Sequence, residues 1–142
     1  MRVMMIVKAS KDSEAGMLPT EAHLALMGKY NEELQKAGVL LDLSGLKPTS
    51  AGTRVRFGGG KPTVVDGPFT EAKELIAGYW VIQVKSKEEA IEWAKRIPAV
   101  ECNVPEVELR PFYELEDFAP GAAVDAAKEL GKKLPANTGS KS

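Results

Sequence analysis

Apolar residues recur along this chain with two periods, one of two residues and one of three to four, and their order predicts its elements. Residues 2 to 8 are apolar on both faces, which predicts a strand in the middle of a sheet. Ala9 to Leu18 is polar, contains Gly16 and reads as a loop. His23, Leu26, Met27, Tyr30, Leu34 and Ala37 then follow at three- and four-residue spacing, which puts them on one face of a helix. Thr20 is placed to cap its start, and Gly38 ends it. Val39 to Leu46 reads as a second strand.

Thr53 to Phe57 alternates as a strand with one wet face does, and Gly58-Gly59-Gly60-Lys61-Pro62 turns it back into Thr63-Val64-Val65 as a hairpin. That turn is no phosphate loop, because proline and a strand follow Gly60-Lys61 where Ser or Thr and a helix are needed. Ile76 to Lys85 is a further strand, with Trp80, Ile82 and Val84 on one face and Tyr79, Val81 and Gln83 on the other. Ser86 and Glu89 have the spacing of a capping box, and the helix they open turns Ala90, Ile91, Ala94 and Ile97 inward before Pro98. Glu106 to Phe112 is the last strand.

The order is β-α-β, a hairpin, then β-α-β. Two such units with helices on one face predict an α+β, ferredoxin-like sandwich over residues 1–118. Residues 119–142 form a C-terminal extension, with a short Ala-rich helix over Pro120 to Leu130 and a mobile stretch from Lys132 to Ser142. Two helices cover only one face of the sheet. The other holds Tyr79, Val81, Gln83, Glu108 and Arg110, plus either Leu41 and Leu43 or Asp42 and Ser44. That mixture suits burial against a second copy, so a homodimer with a polar cleft is expected.

Composition narrows the function classes. A net charge of -1 with no basic block lacks the footprint of a nucleic-acid binder. A single cysteine, Cys102, excludes an internal disulfide, and a single histidine excludes zinc-finger spacing. The apolar run at the N-terminus is too short for a signal peptide or membrane span, which predicts a cytoplasmic protein. No residue pattern asks for a metal or cofactor.

The candidate chemistry centres on Val64 to Glu74, where Asp66-Gly67-Pro68 forces a turn and Phe69 follows in a loop. The loop is either a surface turn anchored by Phe69 or the wall of a site. His23 is either a core-edge histidine or a general base, since imidazole exchanges protons near neutrality. Asp66 either accepts turn N–H bonds, or orients His23 or acts as a base itself. Arg110 pairs with Glu108 or holds a substrate carboxylate or phenolate with its planar fork. Tyr79 on the open face can stack on an aromatic ring. Cys102 has no neighbouring base in sequence and reads as inert.

Asp66-Gly67-Pro68-Phe69 followed by Glu71-Ala72-Lys73-Glu74 resembles the DGPF signature of the YCII-related domain family. Tyr30-Asn31-Glu32-Glu33-Leu34, Ala37 to Leu41, Gly45 to Pro48, Gly78-Tyr79, Glu89 to Ala94 and Glu108 to Pro111 are similar landmarks in the same order. The resemblance spans about residues 1–115 and implies a dimeric α/β barrel. It also implies a His–Asp pair in acid–base chemistry, for which His23 and Asp66 are the candidates, and a gene context of extracytoplasmic-function sigma factors. Two functions follow as expectations. One is cofactor-free elimination or isomerisation of a small phenolic or carboxylic molecule in a dimer cleft. The alternative is a non-catalytic ligand-sensing or regulatory module associated with a sigma factor.

Overall fold

The computed structural model describes residues 1–135. In chain order its elements are β1 (Arg2–Lys8), α1 (Lys11–Glu14), α2 (Glu21–Lys36), β2 (Leu40–Gly45), β3 (Thr53–Arg56) and β4 (Thr63–Asp66). After these come β5 (Ile76–Gln83), α3 (Lys87–Lys95), β6 (Val107–Pro111) and α4 (Ala122–Lys133). The expected tail from Lys132 onward is helical through Lys133, and from residue 136 it lies outside the described residues.

β2, β5, β1 and β6 form one sheet in that order, each neighbouring pair antiparallel. This is an α+β fold with the strand order of a ferredoxin-like sandwich. β1, apolar on both faces, is indeed internal to the sheet. β3 and β4 pair only with each other, as a separate hairpin sheet.

Alternation on the strands decides which face meets the helices. Val3 and Met5 of β1 and Trp80 and Ile82 of β5 point to α2 and α3, where they join Tyr30, Leu34, Ala90 and Trp93 in one buried cluster. Trp93 is a core residue that the inward stripe read from the sequence leaves out. Leu26 is the reverse case, 38% exposed although it fits the α2 stripe. Thr20 caps α2 as expected, accepting from the His23 backbone N–H at 3.1 Å. Ser86 likewise accepts from the Glu89 N–H, but the Glu89 carboxylate reaches back one residue further than a capping box does, to the Lys85 N–H at 2.7 Å.

The opposite face carries Met4, Ile6, Tyr79 and Val81, with Glu108 and Arg110 at its β6 edge. On β2 a bulge between Leu40 and Asp42 leaves Leu41 unpaired and sets Asp42 opposite Val81 and Ser44 opposite Tyr79. Asp42 and Ser44 therefore occupy that face, while Leu40 and Leu43 pack on the core. The Tyr79 hydroxyl donates to Asp42 Oδ2 at 3.2 Å.

α1 replaces part of the loop expected over Ala9 to Leu18. Ser10 and Ser13 cap it reciprocally, a signal visible in the spacing, but four residues are too few to show a hydrophobic period. Its Glu14 carboxylate accepts both the Thr49 N–H at 3.0 Å and the Thr49 hydroxyl at 2.7 Å. With its proton so engaged, the hydroxyl oxygen accepts the Phe69 N–H at 3.0 Å. The loop after β4 is thereby fastened to the loop after β2. Gly67 sits at the point of closest approach, where an added Cβ would lie 1.8 Å from the Thr49 carbonyl oxygen. Gly67→Ala must push the two loops apart, and we expect a loss of about 3 kcal/mol in urea unfolding. A midpoint equal to wild type would show that the Thr49 turn yields freely and does not fix the loop.

Candidate functional site

A hollow of about 600 Å³ lies between the first half of α2 and the sheet. A volume of this order suits a small-molecule ligand. Its existence follows from how α2 is held. The residues that α2 buries, Tyr30 and Leu34, both lie in its second half. The first half therefore leaves space above Leu43, Val7 and Trp80.

His23, Met27 and Asn31 line this cavity at successive four-residue steps, one stripe along the helix, with Leu24 and Gly28 beside them. The wall is mostly apolar, and among the described residues no Lys, Arg, Asp or Glu lines it. Its polar groups are few. The His23 side chain is half-buried and takes no hydrogen-bond partner among the described residues. Asn31 Oδ1 accepts the Trp80 indole N–H at 2.8 Å. The Cys102 sulfur lies 3.8 Å from the His23 carbonyl oxygen, and burial, then the Glu101 charge, pushes its thiol upward. A thiol held protonated in this way is a poor nucleophile.

The other residues singled out in the sequence stand elsewhere. Asp66, exposed at the end of β4, accepts the Thr53 hydroxyl at 3.0 Å and does not line the His23 cavity. Phe69 lies under the Arg54 guanidinium, 3.8 Å from carbon to ring centroid, in a smaller hollow of about 370 Å³. Arg110 is exposed on the open face and paired with Glu108, which also meets Lys8 at 3.2 Å. The Arg110 hydrogen bond, followed by that of Lys8, holds the Glu108 carboxyl below the usual carboxylate range. Tyr79 borders the His23 cavity along its strand while its hydroxyl reaches Asp42 on the other face.

A single chain thus brings His23 together with the strand of Tyr79, and sets Asp66, Phe69 and Arg110 apart from them. Sequence reading missed Asn31 and Gly28. A signal for Asn31 existed, since a polar residue four positions after Met27 interrupts an otherwise apolar stripe.

Among the described residues no helix is long and apolar enough to cross a membrane. In solved structures the chain is similar to a 5-chloro-2-hydroxyhydroquinone dehydrochlorinase from Burkholderia phenoliruptrix AC1100, determined in complex with 2,5-dihydroxybenzoquinone. The TM-score is 0.45 at 9% identity, over 83% of this chain and 98% of that one. An uncharacterized protein of Rhizobium meliloti (strain 1021) is 34% identical over 88 residues, 62% of this chain and 68% of the relative. Residues 1–113 match the YCII-related domain, and this chain belongs to that family.

Proposed function

We propose that the chain binds a small, largely apolar, uncharged molecule in the cavity between α2 and the sheet. There His23 moves a proton in a cofactor-free elimination or isomerisation. Gly28 is the observation that carries this reading. A glycine inside a helix costs roughly 1 kcal/mol relative to alanine. No packing requires it, because an added Cβ would meet nothing within 4 Å. Gly28 lies on the cavity wall, so its missing side chain leaves room where a stability-driven sequence would fill it. The neutral lining argues for an uncharged ligand, since a buried carboxylate would find no cation there. His23 is suited to take a proton from an activated C–H and to return it at another atom.

Gly28→Ala should raise stability by about 1 kcal/mol, near 4 °C in Tm. Gly28→Leu should fold as well as wild type and lose the ligands found by thermal-shift screening of phenols and ketones. Ligands that bind Gly28→Leu with undiminished affinity would remove the cavity from consideration. His23→Ala should keep ligand affinity within a few-fold and lower turnover by roughly 100-fold or more.

We further propose that the open sheet face packs on a second copy of the chain. Met4 and Ile6, both partly exposed, supply apolar contact along its centre beside the already buried Val81, and Glu108 and Arg110 supply charges that a two-fold axis makes self-complementary. Tyr79 and Arg110 would then line the contact between copies. The motif Asp66 to Phe69 supports placing the chain in the DGPF-type branch of the family. Sedimentation equilibrium should find a dimer for wild type and a monomer for Val81→Glu. A monomeric wild type would eliminate the second copy.

A further inference from the structure

Asn31 lines the cavity, and its contact with the core decides which end of its amide is left unpaired. The Trp80 indole can only donate, so the end of the Asn31 amide that meets it at 2.8 Å must be the oxygen. The amide nitrogen is turned away from Trp80 by that constraint. Among the described residues it donates to no protein acceptor, although Asn31 is half-buried and lines the cavity. The Nδ2 group is not sealed from solvent, so its N–H pair is open to water and equally to an acceptor that enters the cavity.

Taking the proposed cavity as the binding site, we infer that Asn31 is its specificity-determining residue. Its Nδ2 group receives a neutral carbonyl oxygen of the ligand. The ligand class is therefore an uncharged ketone or related carbonyl compound with an apolar body. A carboxylate is disfavoured by the absence of a lining cation, and a plain hydrocarbon leaves the amide unpaired. His23 and Asn31 are eight residues apart on α2, on the order of 12 Å along its axis. A ligand that spans them is about two fused rings long. In such a ligand, conjugated from one end to the other, the Asn31 amide would stabilise the charge that reaches the carbonyl oxygen as His23 takes a proton from a vinylogous C–H at the far end.

The test uses three probes of matched shape, 1-tetralone, tetralin and 2-naphthoate, titrated into the full-length protein and followed by the amide and indole resonances. For wild type we expect 1-tetralone to bind about tenfold more tightly than tetralin, the difference expected of one well-placed hydrogen bond. The Asn31 side-chain amide should shift with 1-tetralone alone, and 2-naphthoate should bind least. Asn31→Asp keeps an acceptor for the Trp80 indole and removes the donors, so the tenfold preference should vanish while the Trp80 indole resonance stays in place. Asn31→Leu, should Asn31→Asp fold poorly, is expected to lose the preference too. Equal affinity of the wild type for 1-tetralone and tetralin, or a preference that survives in both variants, overturns the role of Asn31 and leaves the cavity standing. 2-Naphthoate binding as tightly as 1-tetralone overturns the uncharged class. Probes that leave every cavity resonance of the wild type unmoved would overturn the cavity itself, and Asn31 with it.

Discussion

The one donor of the Trp80 indole is the constraint around which this molecule is arranged. β5 runs between β2 and β1, so a large side chain on its helix-facing side is buried whatever the helices do. The ring brings much apolar area into the core, but its N–H needs an acceptor there. Asn31 of α2 supplies it. One position earlier, Tyr30 meets the Trp80 ring edge-on, with centroids 5.4 Å apart and planes at 79°. The Tyr30 hydroxyl in turn donates to the Trp93 carbonyl at 2.8 Å, in the last turn of α3. That carbonyl also accepts the Arg96 backbone N–H at 3.1 Å in the tightened last turn, so the Tyr30 hydroxyl is its second partner. Burial pushes the Tyr30 phenol far above its ordinary value, which keeps it a neutral donor. Sheet, first long helix and second long helix are thus joined through three aromatic residues and one amide.

The same node accounts for the cavity. Because Tyr30, Asn31 and Leu34 fasten the second half of α2, the first half reaches past the buried core, with Met27 at the core's edge and the strand ends and Cys102 around the hollow. Glycine at position 28 and the small residues Gly45, Ala77 and Gly78 along the rim leave that space open. Fold and site are not separate designs here. Asn31, which closes the core against Trp80, also lines the hollow, so the contact that stabilises the helix position decides which end of its amide stays unpaired.

Much of this was legible in the sequence. The period-two strands, the inward placement of Trp80, Ile82 and Val84, the caps at Thr20 and Ser86 and the order of the units all follow from local rules that tertiary context did not override. Others are not local. The choice between Leu41 with Leu43 and Asp42 with Ser44 for the open face was made by a bulge, which a sequence period cannot show. Leu26 fits the helical stripe yet stays exposed, because a stripe of the width read there exceeds the surface the sheet offers. The Asp66 to Phe69 loop was readable as a turn. Its attachment through Thr49 to Glu14, 35 residues before that threonine, depends on a four-residue helix too short to have a period.

Charge is divided between the two sides of the sheet, and that division bears on chemistry. On the open face Lys8, Glu108 and Arg110 pair among themselves, and Asp42 accepts from Tyr79. On the helix side no formally charged side chain among the described residues lines the cavity, and the polar side chains that do include an imidazole, an amide, a serine hydroxyl and a thiol that burial keeps protonated. A low-dielectric pocket with one proton-exchanging group and one directed donor acts little on a charged molecule. It can polarise a neutral one, because a dipole held in place strengthens the charge that a reaction develops without having to reorganise. The separation keeps the ion pairs on the open face and leaves the cavity wall uncharged.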